Sequence, residues 1–193
     1  MTLVDLTALR APRPHRADAG RNFDALLAAA HDVFTEYGAD APMEEIARRA
    51  DVSIATLYRN FPTREQMLEN VYISEVEAVC RYAEDAAGFA PWEGISSWLR
   101  RFVEYVATKR AVAVGISRDS DVYRACTEAL YVAGGPLLER AQLNGDIRSD
   151  VDIDDVMRFV MAYTLVNFAS AEQRDRMLEI AFDGLKTIPP DGR

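Results

Sequence analysis

Residues 42–64 read PMEEIARRADVSIATLYRNFPTR, and this stretch decides the architecture. Pro42 stands where a helix can open, because its missing N–H is one of the donors that a first helical turn leaves unpaired. Ile46, Ala47 and Ala50 give that short helix an inner face, and Asp51 breaks it. Ser53 is a good N-cap for a second short helix, Ile54 to Phe61, whose Leu57 and Phe61 point inward four residues apart. Pro62 closes it, since the residue before a proline avoids the α region. Two short helices around a tight turn predict a helix-turn-helix over 44–61, in which the first helix crosses a DNA backbone and the second lies in the major groove. Ser53, Thr56, Tyr58, Arg59 and Asn60 supply the hydrogen-bonding groups that such a second helix presents.

Helical periodicity extends in both directions. Upstream, Phe23, Leu26, Leu27, Ala30, Val33, Phe34 and Tyr37 recur at three and four residues, with Asn22 as the expected N-cap and Gly38 as the stop. Downstream, Thr63 and Gln66 form a capping box, and Met67, Leu68, Val71, Tyr72, Val76, Val79 and Cys80 carry a long helix to about Ala87. Further helices are expected over 92–109, 111–117, 121–144 (bent at Gly134, Gly135 and Pro136), 153–168 and 170–186. No alternating strand pattern and no repeat interrupts them, so the expected fold is all-α with about nine helices. The expected domains are a mobile arm over 1–20, a helix-turn-helix domain over 21–81, a C-terminal effector-binding and dimerisation domain over 82–188, and a tail over 189–193.

A net charge of −9 argues at first against nucleic acid, since phosphate contacts need Lys or Arg. The acid is unevenly placed: residues 1–64 hold 8 Arg against 9 Asp and Glu, whereas 65–193 hold 14 Lys and Arg against 22. An acidic C-terminal part repels a duplex and orients the other end toward it. Two cysteines, Cys80 and Cys126, without CxxC spacing or neighbouring His, indicate neither a disulfide framework nor a metal site, and point to a reduced, cytoplasmic protein. With no apolar run of membrane-spanning length and no signal sequence, membrane insertion is not expected. His15 sits in the arm and His31 on the first long helix, without a catalytic constellation, so neither an enzyme nor a cofactor is expected; His31 reads as a surface or packing residue.

Phe34, Gly38, the run IARRADVS at 46–53, the run TLYRNFPTRE at 56–65 and Leu68 together resemble the tetracycline-repressor (TetR) family over residues 21–72; beyond that the likeness is architectural. The resemblance implies a DNA-binding regulator whose recognition-helix positions are Ser53, Ile54, Ala55, Thr56, Tyr58, Arg59 and Asn60, the tyrosine and its neighbours touching phosphates and the others facing base edges. Phosphate is also expected at the helix starts near Pro42, Met43 and Thr63, with Arg64 and Arg21 adding charge. The family's usual turn glycine is Asp51 here, and its usual lysine after the fourth-helix cap is Arg64; Asp tolerates the left-handed region better than most residues, and Arg keeps the charge.

Operators of two-fold symmetry are read by dimers. The segment 153–168 is apolar nearly all round, which requires burial on two sides, so Val156, Phe159, Val160 and Tyr163 with Met177, Ala181 and Leu185 of the last helix are the expected homodimer interface. A central core helix is the alternative. Trp98, Phe102, Tyr105, Tyr123, Met157, Met161 and Phe168 are expected to line an apolar cavity for a small effector, or else to pack the core. Expected partners are therefore double-stranded operator DNA, a second copy and a small molecule that releases the operator. The competing function is a ligand-binding or protein-interaction module of the same fold that has lost specific DNA binding.

Overall fold

The computed structural model describes residues 6–164 and 166–187, with the backbone alone at 107–114; residues 1–5 of the expected arm and the expected tail 189–193 lie outside the described residues. A single 3-10 turn (Thr7–Leu9) precedes eight α-helices: α1 (Ala17–Tyr37), α2 (Met43–Arg49), α3 (Ile54–Asn60), α4 (Arg64–Ala86), α5 (Pro91–Val114), α6 (Asp121–Leu143), α7 (Ile153–Thr164) and α8 (Ala171–Leu185). Among the described residues the only extended pairing is an isolated antiparallel bridge between Ile147 and Lys186. The fold is all-α, as expected. The count is eight because α5 runs on to Val114 where a separate helix over 111–117 was expected: residues 107–114, ATKRAVAV, contain neither Gly nor Pro, and the first breaker is Gly115.

The chain forms two compact units. Among the described residues, one comprises 6–77 with 108–128, and the other comprises 78–107 and 129–187. The division falls at 77/78 rather than 81/82, and the start of α6 joins the N-terminal unit, where the Tyr123 ring stacks on Tyr72 with centroids 6.4 Å apart.

In the N-terminal unit, Phe23, Leu26, Ala30, Val33 and Phe34 of α1 are buried together with Ile46, Leu57, Phe61, Met67 and Leu68. α1 begins five residues before the expected cap at Asn22, since Ala17 and Ala19 favour helix and Asp18 in the first turn suits the positive end of its dipole. The arm expected to be mobile over 1–20 is held from Leu6 onward. Leu6 is buried, the Ala11 N–H donates to Asn70 Oδ1 (2.9 Å), and Arg10 donates to Ser74 Oγ (2.7 Å) and pairs with Glu77.

In the C-terminal unit, Trp98 is fully buried and its indole N–H donates to the Val79 carbonyl (3.2 Å). Gly134 is required there, because any Cβ at that position would overlap the Trp98 ring. Gly134, Gly135 and Pro136 do not interrupt α6. Gly145 closes that helix at φ 81°, with the Gly145 N–H on Gln142 O (3.0 Å) and the Asp146 N–H on Ala141 O (2.9 Å). The Ser170 hydroxyl caps α8 by accepting the Gln173 N–H (3.2 Å), while Gln173 Oε1 accepts the N–H of Ala169, the residue before the cap (2.7 Å).

Candidate nucleic-acid interface

The turn between α2 and α3 is a two-bond helix stop. The Asp51 N–H donates to Arg48 O (3.2 Å) and the Val52 N–H reaches back to Ala47 O (3.0 Å), which places Asp51 at φ 54°. This is the Schellman arrangement, with Asp at the left-handed position usually given to glycine. Ser53 then caps α3: its Oγ accepts the Thr56 N–H (3.1 Å) and lies 2.9 Å from Thr56 Oγ1.

Leu57 and Phe61 have no exposed surface, and the Phe61 ring packs on Phe23 with centroids 4.9 Å apart, which fixes the rotation of α3. The same rotation turns Ile54 (38% exposed) and Tyr58 (44%) outward, with Ser53, Ala55 and Arg59 on the same exposed side. Thr56 and Asn60 are half-buried and engaged within α3, the Asn60 Nδ2 donating to the Thr56 carbonyl (2.8 Å).

The other expected contact residues divide. Pro42 is the exposed residue before α2, but Met43, expected beside it as a contact, is buried and presents almost no surface. Arg64 turns one end of its guanidinium to the carbonyls of Ala39 and Ala41, bracing the loop before α2. Arg21 lies within α1, not ahead of it, and pairs with Asp18.

Sequence reasoning missed a cluster behind the helix-turn-helix. Glu45 accepts from Arg48 (2.8 Å) and Arg49 (2.7 Å), and Arg49 also donates to Glu36 (2.6 Å) and lies over the Tyr37 ring. Hydrogen bonds from Arg48 first and Arg49 second hold the Glu45 carboxyl down to about 2, and hydrogen bonds to Glu45 first and Glu36 second push Arg49 up. Spacing of Glu45 to Arg48 and Arg49 at three and four residues was the available signal. Of the eight arginines in residues 1–64, only Arg16 and Arg59 have no hydrogen-bond or ion-pair partner among the described residues. Arg59 belongs to the exposed face of α3.

The remaining expected sites lie in other places. Val156, Val160 and Tyr163, three of the expected interface residues, are buried within the chain's own C-terminal unit, the Tyr163 hydroxyl donating to the Arg174 carbonyl. They have no surface left for a partner. The exposed apolar side chains are instead Phe159 (51% exposed), Met161 and Ala162 of α7, Val166 just after it, and Met177 and Ile180 (63%) of α8, with Ala181 and Leu185 half-buried. Met161, expected in a cavity, is thus on the surface. Trp98, Phe102, Tyr105 and Met157 are buried, the first three in a continuous stack with centroids 5.9 and 6.2 Å apart. Phe168 is half-buried against Tyr163 (5.0 Å), and Tyr123 belongs to the other unit.

His31 links α1 to α4 through Glu75 (2.7 Å) and also meets Asp32 (2.9 Å), so two carboxylates flank a histidine that in sequence had none assigned to it. Among the described residues no group of three or more His, Cys, Asp or Glu is placed to hold a metal ion, and no helix is long and apolar enough to cross a membrane.

Comparison with known proteins bears on both halves of the chain. Residues 26–71 match the family model described as bacterial regulatory proteins, tetR family, and residues 90–187 match that of the transcriptional regulator SbtR-like C-terminal domain. A TetR transcriptional regulator from Streptomyces coelicolor is 34% identical, covering 86% of this chain and 99% of its own, with a TM-score of 0.72. A TetR transcription regulatory protein from Mycobacterium vanbaalenii is 30% identical over 90% of this chain and 100% of its own, at 0.67. A regulatory protein in the tetR family from Rhodococcus shares the fold at 19% identity, covering 87% and 98%, at 0.62. The comparison with curated proteins returns no match.

Proposed function

Since the chain belongs to the TetR family of bacterial transcriptional regulators and is a DNA-binding regulator, we propose that it acts as a homodimeric repressor whose α3 reads operator DNA in the major groove. The single observation that carries this reading is the rotation of α3. Leu57 and Phe61 are locked into the core, so Ser53, Ile54, Ala55, Tyr58 and Arg59 stand outward together on one rigid face.

In this reading the short side chains Ser53, Ala55 and Thr56 let the helix approach the base edges, while Ile54 offers an apolar contact to a thymine methyl. Tyr58 and Arg59 take phosphates, Arg59 as an unneutralised cation and Tyr58 through its hydroxyl. Pro42 meets the backbone at the start of α2, with Arg64 holding that loop in place from behind. Asn60 and Thr56 serve the same end by stiffening α3.

Two copies are needed because operator half-sites lie roughly one helical turn, ~34–36 Å, or a multiple of it apart. The exposed apolar side chains of Phe159, Ala162, Val166, Met177 and Ile180 are the surface that a second copy would cover. A small apolar effector is read by the aromatic stack of Trp98, Phe102 and Tyr105 with Met157, and the continuous α4 carries its influence toward α3. A coupling of about 1–3 kcal/mol suffices for release. Duplex DNA as partner and two cysteines outside any disulfide suit a cytoplasmic location.

The test is selection of duplexes by the full-length protein from a random pool, followed by titration against salt. The expected result is a two-fold-symmetric consensus whose affinity falls steeply as salt rises. Failure to enrich any sequence, with binding independent of salt, would leave the ligand-binding or interaction module without DNA specificity as the correct reading.

A further inference from the structure

The N-terminal arm is strapped down at three independent points. Asn70, 3% exposed on α4, accepts the Ala11 N–H on Oδ1 (2.9 Å) and donates from Nδ2 to the Gln66 carbonyl (2.7 Å). Arg10 donates to Ser74 and pairs with Glu77 (3.0 Å). Arg13 makes a two-bond pair with Asp24 of α1 (2.8 and 2.6 Å), and its guanidinium lies across Gly20, where an added Cβ would sit 2.9 Å from both terminal nitrogens. Gly20 costs helix stability even in the first turn of α1, so its place there needs a reason, and the crossing of Arg13 provides one.

The strap does not lie idle against the core. With Pro12 and Pro14 it forms one wall of a groove of about 720 Å³ whose facing wall is Thr56, Arg59 and Asn60 of α3, with Asn22 of α1 at its side. Two prolines stiffen this wall before any DNA arrives, so little ordering entropy is left to lose. The strap leads into Arg16, an exposed arginine without a partner among the described residues, so two unneutralised guanidinium groups, Arg16 and Arg59, belong to the strap and the recognition helix. Arg59 and the side-chain amide of Asn22 give this groove donors for one sugar–phosphate strand, offset in part by the Glu69 carboxylate that also lines it.

We propose that residues 10–16 are a built-in second wall of the DNA-binding face, that Asn70 and Gly20 are the positioning residues that lock it beside α3, and that Arg16 is a phosphate contact delivered by this lock. The inference rests on the reading of α3 as the recognition helix. A free arm would reach the same phosphate only after paying for its own ordering; the locked one does not.

The test uses the full-length protein and a duplex selected by the wild type. In Gly20→Ala the new methyl displaces only the flexible tip of Arg13, and alanine suits a helix better than glycine, so the melting temperature is expected to hold or rise. DNA affinity is nonetheless expected to fall about fivefold, with the salt slope reduced by about one. Loss of affinity with gain of stability is a pair of signs that a merely structural residue does not give. Asn70→Leu, which keeps the burial and removes both bonds, is expected to weaken binding about tenfold. Arg16→Ala is expected to weaken wild type no more than the roughly fivefold of Gly20→Ala and to add nothing in the Gly20→Ala background. If Gly20→Ala binds the duplex as wild type does, or if Arg16→Ala acts fully in both backgrounds, the strap is not part of the interface and the role of α3 stands untouched. If wild type enriches no duplex at all, the reading of α3 falls and the strap proposal with it.

Discussion

Replacing Asp51 with glycine tests the turn and the electrostatics of the interface in one step. Asp51 sits at φ 54° in the two-bond stop that separates α2 from α3, exposed and two residues ahead of the Ser53 cap. A left-handed L-residue costs roughly 1–2 kcal/mol, with Asn and Asp at the low end. Glycine removes that cost but loses about 0.5–1 kcal/mol more backbone entropy on folding. The net expectation is a gain of about 0.5 kcal/mol, read as a rise of ~1–2 °C in melting temperature for a chain of this size. The change also removes a carboxylate beside the DNA-binding face. At about 8 Å in water a charge pair is worth ~0.5 kcal/mol, and salt at 0.15 M cuts this by a factor of about three. Summed over several phosphates in two subunits, the expected gain is of order 1 kcal/mol, roughly fivefold in affinity and larger at low salt. Asp51→Asn separates the two effects: it keeps a side chain tolerant of positive φ and drops the charge, so affinity should rise as in the glycine variant while stability changes less. Thermal unfolding and fluorescence anisotropy on the selected duplex measure both. A glycine variant less stable than wild type, or an asparagine variant with unchanged affinity at low salt, would refute the reasoning.

Gly134→Ala is expected to destabilise by about 1–3 kcal/mol in spite of alanine's better helix propensity, because its methyl overlaps the buried Trp98 ring; the tryptophan emission and the melting temperature report it. Ile180→Glu, placed on the exposed strip of α8, is expected to leave the melting of the monomer little changed and to shift sedimentation from dimer to monomer, with loss of tight DNA binding. Glu45 is held at about 2 in the folded protein against an ordinary value of 4.5, so the native state binds fewer protons between those values. Its contribution to stability is therefore complete above about pH 4.5 and is lost as pH falls toward 2; Glu45→Gln should flatten acid unfolding in that window, and added salt should shrink the difference because the group is open to solvent.

Punctuation residues made the helix-turn-helix legible. Ser53, Pro62, Thr63 and the awkward Asp51 each act through the nearest few residues, so the sequence contains everything needed to place α2, the turn and α3. The strap was hidden because its three anchors are long-range: Arg10 to Ser74, Ala11 to Asn70 and Arg13 to Asp24 span 64, 59 and 11 residues. A polar, proline-containing segment looks the same whether or not it finds such partners; the one available hint was a glycine at position 20 inside an alanine-rich helix. The face of α7 was legible but misread: Val156, Met157, Val160 and Tyr163 recur at helical spacing on the buried side, whereas Asp154, Asp155 and Arg158 lie off it, so the helix is amphipathic and not apolar all round. Likewise Arg64 and Arg21 read as phosphate ligands from charge alone, whereas the loop carbonyls at 39 and 41 and the Asp18 carboxylate draw them away.

The most direct measurement is the affinity of Tyr58→Ala, Arg59→Ala double variant for the selected duplex, taken beside its melting curve. Both side chains are exposed, so the fold should be unaffected, and each lost contact at about 1–3 kcal/mol predicts a combined weakening of ~30-fold or more with a shallower salt dependence. Wild-type affinity in a properly folded double variant would contradict the account, because the outward face of α3 would then not be what holds the DNA.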